Sequence, residues 1–389
     1  MSKAPDVDYT ATSLRPDGNT LPQTLRENLA VALGSEVAEP GPPVGSGFTG
    51  GFAGPVRLAD GRRVFIKAAD DTLHPYSAYQ REAEVVPQLP PELRIPAILA
   101  TAHAVDEEGT SGDAEPRGAR PGGEAPDGRT DPAPPPDGDP RPITPAPPTD
   151  GDPRPITPSP PPAEGGQRWF AVVSEWVDGR MPGNPWTAVD FELVTATCER
   201  IAEVMDPSPL SGLETFFSDI AGGDPSPLDI PGLINAGDLP LPTGLQPWVP
   251  RILPELADLV QLAPEAFAGS TATHGDLRPD NLLIDTESVC WTVDWNWLAL
   301  GPRWMDWVGL LPVAQHHGID TAAAIRRSPL TAGVPGDHLD CFVAVVAAYM
   351  MKNTDAPPPL GCTQAVREHQ RFYAWTFLDW LAVRRNWLP

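Results

Sequence analysis

Eighteen of the chain's 52 prolines fall between Asp106 and Gln167, a stretch with no aromatic residue and no large aliphatic except Ile143 and Ile156. Proline lacks the backbone donor that helices and sheet ladders use, and without apolar side chains nothing offsets the entropy of ordering such a segment. One unit occurs twice in it, DGDPRPITPAPPT from Asp137 and DGDPRPITPSPPP from Asp150. Two copies of this composition cannot bury a core, so the stretch reads as a disordered or polyproline-II insert rather than a solenoid. Taking it out leaves two pieces of ordinary composition.

The chain is 41% hydrophobic and carries 12 Trp, so a large core is available. Its 27 Lys+Arg stand against 52 Asp+Glu, a net charge of −25. Nucleic-acid phosphates and anionic membrane surfaces are both held through Lys and Arg, so neither is an expected partner. No apolar run is long enough to span a bilayer, and the polar opening from Met1 to Arg15 lacks the apolar stretch of a signal peptide. Cys198, Cys290, Cys341 and Cys362 are widely scattered, as in a reduced, cytoplasmic protein.

Ahead of the insert, residues 54–67 read as two short strands about an Asp60-Gly61 turn, and Pro75 opens a helix running to about Val86. Residues 95–105 have strand character, as do residues 169–173 beyond the insert. The remainder is helical by pattern, over 186–205, 248–262 and long stretches after Asp337.

The densest chemistry lies in residues 273–285, THGDLRPDNLLID, with Asp294 following a short way downstream. Phosphoryl transfer needs a carboxylate to orient or deprotonate the accepting hydroxyl, and oxygen ligands for the Mg²⁺ that bridges the phosphates. An H-x-D-x-x-x-x-N loop offers the first carboxylate and an amide. An Asp at the end of a short hairpin (282–284 and 289–293) offers another ligand. Any one of these residues alone is more simply a turn or cap residue, but three parts at matching intervals outweigh that reading.

This run resembles the catalytic and metal-binding segments of the aminoglycoside phosphotransferase family, whose fold is that of the protein kinases. Residues 301–306, GPRWMD, are similar to that family's glycine-then-aspartate segment, in which the Asp (here Asp306) braces the catalytic loop. The resemblance implies Asp276 as catalytic base, Asn281 and Asp294 as Mg²⁺ ligands, and Arg278 as a neutraliser of the transferring phosphoryl group. Residues 64–67, VFIK, resemble the strand that presents the nucleotide-binding lysine. Lys67 would reach the phosphates, and Phe65, on the same face by alternation, would stack on the purine. Glu82 matches the helix glutamate that pairs with this lysine; Glu84, about 200° further round the helix, is the alternative.

Residues 45–51, GSGFTGG, follow prolines and precede strand-like sequence, which argues against a dinucleotide-binding fingerprint. A glycine-rich hairpin over the phosphates, using Gly47 and Gly50, fits better, with a plain flexible loop as the alternative. Ser174 and Trp176 fall where the two lobes of such a fold are hinged, so their backbone groups would meet the adenine edge. His316 and His317, adjacent and with no acidic cluster close in sequence, read as surface residues rather than metal ligands. Trp291, Trp295, Trp297, Trp304 and Trp307 read mainly as core, with one or two left to line an acceptor cleft.

The expectation is therefore an α+β, two-lobed, protein-kinase-like fold. Residues 1–20 would be a flexible tail. Residues 21–178 would form a small β-rich N-lobe with one helix, interrupted by the 106–167 insert, and residues 179–389 a larger helical C-lobe. The implied activity is transfer of the γ-phosphate of ATP or GTP, with Mg²⁺, to a hydroxyl of a small molecule, an aminoglycoside or another natural product. The acid excess would suit a cationic acceptor, and a monomer is the expected state. Two alternatives stay open: a kinase of Ser or Thr on a peptide, against which Asp294-Trp-Asn in place of D-F-G argues, and a non-catalytic nucleotide-binding scaffold.

Overall fold

Alternating burial along the strands shapes the small lobe. The computed structural model describes residues 7, 9, 12–45, 47, 50–106 and 166–387. In it β1 (Val37–Pro40), β2 (Phe52–Leu58), β3 (Arg63–Asp70), β4 (Ile98–Asp106) and β5 (Gln167–Glu175) form one sheet in the order β1-β2-β3-β5-β4. Every neighbouring pair is antiparallel. Val64 and Ile66 are buried on one face of β3, while Phe65 and Lys67 face the cleft between the lobes. Helix α1 (Gln23–Leu33) lays Leu25, Leu29 and Leu33 across the Val64 face, and Gly34, at φ 67°, ends it. Helix α2 (Pro75–Val85) covers the opposite face, where Tyr79 meets Phe170 and Val172. Among the described residues the lobe thus holds two α-helices where the sequence singled out one. The leucine stripe, spaced by fours, is the signal that α1 carries.

Asp106 and Gln167 are paired across the β4–β5 hairpin, so the two ends of the proline-rich stretch belong to the sheet rather than to an insert. The rest of that stretch, residues 107–165, lies outside the described residues. The expected tail at 1–20 is corrected wherever the chain is described. Val7, Tyr9 and Thr12 are 5%, 7% and 0% exposed. Thr12 donates to Gly45 O through N and Oγ1 at 3.0 and 2.9 Å, and Ser13 Oγ donates to Gly47 O at 2.6 Å. On the other side Leu14 N donates to Gly361 O at 3.0 Å and Thr363 N to Thr12 O at 3.2 Å. Apolar side chains and hydroxyls matched to loop carbonyls hold this segment, which spans from the glycine-rich loop to the large lobe.

The large lobe begins with β6 (Gly179–Arg180) and α3 (Ala188–Val204), whose Thr187 N-cap accepts from Asp190 N. Helices α4 (Phe216–Ala221), α5 (Ile230–Ala236), α6 (Val249–Val260) and α7 (Ala263–Ala266) follow. Strands β7 (Thr271–Thr273), β8 (Leu282–Asp285), β9 (Cys290–Thr292) and β10 (Ala299–Gly301) carry the motif region. Helices α8 (Met305–His316), α9 (Thr321–Arg327), α10 (Gly336–Asn353) and α11 (Ala365–Arg384) complete it, around a core that buries Trp307, Phe377 and Trp380. A second apolar cluster joins the lobes: Val86, Leu89 and Leu93 beyond α2 pack on Ile201, Met205 and fully buried Trp295. His316 and His317, expected at the surface, are instead half-buried, and His316 is edge-on to Phe372 at 5.2 Å. All four cysteines are buried, with Cys198, Cys290 and Cys341 as free thiols, and no described helix is long and apolar enough to cross a membrane.

Candidate active site

The motif region is assembled from short pieces that brace one another. Asp306, in the first turn of α8, accepts from His274 N at 2.7 Å and Gly275 N at 3.1 Å. Burial pushes its carboxyl above the ordinary range, with His274 pulling the other way. His274 is fully buried, with Nε2 2.9 Å from Val293 O, which ties the loop after β7 to the end of the β8–β9 hairpin. Gly275 has φ 78°, and a Cβ there would sit 2.3 Å from Trp297 O. Only glycine tolerates both that conformation and that approach, which accounts for the residue between His274 and Asp276.

Arg278 lies between two carboxylates. Its Nη1 is 2.7 Å from both oxygens of Asp276, and its Nε and Nη2 are 3.0 and 3.1 Å from Asp280. Burial pushes the Asp276 carboxyl up, and Arg278 opposes that shift. At Asp280 burial acts in the same sense, but Arg278 outweighs it and holds the carboxyl below the ordinary range. Asn281 Nδ2 donates to Asp276 O at 2.8 Å, and Val293 N donates to Asn281 O at 3.0 Å. The predicted base and the predicted amide ligand are therefore fixed to each other.

Lys67 brings three elements together. From β3 its Nζ reaches Glu82 on α2 at 2.8 and 2.7 Å, and Asp294 Oδ1 beyond β9 at 2.9 Å. Of the two glutamates, Glu82 is buried and pairs with the lysine, while Glu84 is exposed and lies off this contact. Burial disfavours the Lys67 cation, but Asp294 and Glu82 outweigh it and raise its pKa. The same burial raises Glu82, with Lys67 opposing, whereas Lys67 prevails at Asp294 and lowers it. Asp294 sits at φ 70°, a left-handed conformation that Asp tolerates better than most residues, and Asn296 Nδ2 donates to its Oδ1 at 3.0 Å.

Above these groups the cleft is lined by Phe65, Ser174, Trp176, Gly47 and Gly50. Phe65 pairs with Ser174 across the β3–β5 ladder, and its ring stacks with Trp176 at 6.3 Å and 24°. Trp176 lies just past the end of β5, with the Arg63 guanidinium 4.5 Å over its ring. Gly47 and Gly50 lie on the β1–β2 connection. Gly47 has φ 91°, and a Cβ on Gly50 would come within 2.7 Å of Gly361 Cα. The whole cleft encloses about 940 Å³.

Of the tryptophans crowded around Asp294 in sequence, Trp297 is the one that lines the cleft, stacked on His74 at 6.3 Å. Several other cleft residues were not singled out from sequence. Asp280 and Asn296 lie beside the motif residues and could have been found from that adjacency. Tyr349 on α10 and His369 on α11 carry no local signal, since they reach the site only through packing. His369 is pushed down to about 3 by burial and by Arg278, so it is a neutral imidazole, with Nδ1 3.0 Å from the Tyr9 hydroxyl.

No family model and no curated protein matches the chain. Among solved structures it is similar to spectinomycin phosphotransferase APH(9)-Ia in complex with ADP and spectinomycin, at 11% identity and a TM-score of 0.52, covering 95% of this chain and 100% of that one. It is also similar to aminoglycoside phosphotransferase APH(4)-Ia, at 14% identity and a TM-score of 0.51, covering 92% and 98%. A thermostable form of that protein, in ternary complex with AMP-PNP and hygromycin B, matches at 14% identity and a TM-score of 0.50, covering 94% and 99%. At such identities the likeness is one of fold. The chain has the two-lobed α+β architecture of these phosphotransferases.

Proposed function

We propose that the protein is a kinase that transfers the γ-phosphate of ATP or GTP to a hydroxyl of a small molecule. The observation that carries this reading is the meeting of Lys67 with Glu82 and Asp294, from three separate elements, in the same cleft as Asp276 and Asn281. Residues 21–178 act as the nucleotide lobe and residues 179–389 as the acceptor lobe. Phe65 and Trp176 form the wall for the purine, and the backbone at Ser174 and Trp176 meets its edge. Gly47 and Gly50 let the β1–β2 connection approach the phosphates. That the similar structures hold ADP or AMP-PNP supports a nucleotide donor.

All three protons of the Lys67 ammonium are in use, two on Glu82 and one on Asp294. Glu82 fixes the lysine, and the bond to Asp294 is the one that phosphate oxygens would replace. Asn281 and Asp294 offer hard oxygen donors that suit Mg²⁺. The Asn281 amide nitrogen is bound to Asp276 O, which leaves its oxygen as the ligand atom. When bound, the metal supplies charge neutralisation of the phosphates. Asp276 accepts the proton of the attacking hydroxyl. Arg278, already shared between Asp276 and Asp280, orients that carboxylate rather than standing ready for the phosphoryl group.

Asp276→Ala is expected to slow phosphate transfer by on the order of 10²–10⁴ while nucleotide affinity is kept. A rate near that of the wild type would overturn the reading.

A further inference from the structure

The acceptor half of the cleft differs in character from the nucleotide half. Helix α10 presents Phe342, Val346 and Tyr349 to the cleft, a spacing that puts all three on one helix face. Tyr349 lies close enough to Asp276 and Arg278 to feel both charges. From there the face runs back about two turns, roughly 10 Å, to Phe342. Phe342 packs on Phe216 of α4 at 6.0 Å, and Met350 also lines this wall. An apolar surface thus begins beside the predicted base and continues away from it.

The acidic residues of the cleft are largely committed. Glu82 and Asp294 are held by Lys67, Asp276 and Asp280 by Arg278, and Asp306 by two backbone amides. Glu175, near the hinge, accepts from Ala97 N. The lysine on the acceptor side, Lys352, donates to the backbone oxygens of Asp224 and Pro225 at 3.2 and 2.8 Å. Among the described residues Asp219, exposed on α4 beside Phe216, is the one lining carboxylate outside these bonds. A molecule with four or more ammonium groups would have to desolvate them against aromatic rings with a single carboxylate in reach, which is strongly unfavourable. The chain's overall acidity is therefore no guide to its acceptor.

We infer that the acceptor is a hydroxylated molecule with a predominantly apolar body and no more than one amine. Its body lies on Phe216, Phe342, Val346 and Met350, its reacting hydroxyl at Asp276, and its amine, where present, at Asp219. This rests on the kinase reading above, and the test separates the two. Phosphate transfer and calorimetric binding are measured with ATP or its non-hydrolysable analogue and three probes. These are an aminoglycoside with four amines, a macrolactone glycoside with one tertiary amine, and an amine-free aromatic glycoside. The two apolar probes should be preferred over the aminoglycoside by about a hundredfold in kcat/KM, or in affinity where turnover is slow.

Val346→Asp should raise KM or Kd for both apolar probes about tenfold or more, with the nucleotide KM unchanged. Val346→Thr, of nearly the same shape, serves with a smaller shift in the same direction should the Asp variant not fold. Of the two apolar probes, Asp219→Asn should weaken only the macrolactone glycoside, which bears the amine. Equal or better use of the aminoglycoside, insensitivity to both Val346 variants, or nucleotide binding with no uptake of either apolar probe would overturn the inference and leave the kinase reading standing. Failure to bind or hydrolyse nucleotide at all would overturn the kinase reading itself.

Discussion

Two carboxylates share one guanidinium at the heart of the site, and this fixes how the site should respond to pH. As the proposed base, Asp276 must be ionised to accept a proton, so activity should be present above its pKa and lost as the pH falls through it. Burial pushes that pKa up and Arg278 pulls it down. Arg278→Met removes the pull, so the acid limb of the pH–rate profile should move to higher pH as kcat falls. A limb that stays in place would show that Arg278 does not govern the carboxylate. At this scale the sequence was informative because spacing along one segment carries the pattern: His274, Asp276, Asn281, Asp294 and Asp306 follow one another in a single short run of chain. What spacing could not convey was the three-dimensional neighbour. Glu82 and Glu84 were told apart only by which faces Lys67, and the need for glycine at 275 came only from the Trp297 carbonyl above it.

Among elements, strands and long amphipathic helices were readable and contacts between distant elements were not. The 54–67 hairpin, the Pro75 helix and α3 and α6 all follow from turn chemistry, capping and apolar period. Helix α10 was readable as a helix, but its cleft-facing side looks like any other apolar stripe. Burial in a core and exposure to a cleft select the same residue types. The β4–β5 hairpin yields a direct test of the proline-rich stretch. Because Asp106 and Gln167 are already partners, an Asn-Gly turn in place of residues 107–166 should close the hairpin. The shortened protein is expected to keep its melting profile and its nucleotide affinity. Loss of nucleotide binding would tie the removed stretch to the site.

At the scale of the whole molecule, the lobes meet through more than the hinge. The Val86–Leu93–Trp295 cluster fixes the end of α2 against the large lobe, and Arg81 Nη2 donates across to Leu298 O at 3.0 Å. Such contacts keep Glu82, and through it Lys67, in register with the Asp294 loop. The first residues of the chain add a further link, from Gly45 and Gly47 on one lobe to Gly361 and Thr363 on the other. A hinge alone makes a clamshell; a hinge with a second clasp makes a closed ring. Opening a ring means breaking one of its links, so nucleotide exchange should be timed by the Thr12–Ser13 clasp rather than by the hinge. Removing its hydroxyls, Thr12→Val with Ser13→Ala, should speed release of a fluorescent ATP analogue in stopped-flow mixing, whereas an unchanged rate would place the limiting step elsewhere. The opening segment of the chain, through a pair of small hydroxyls, would then set how long the protein holds what it has bound.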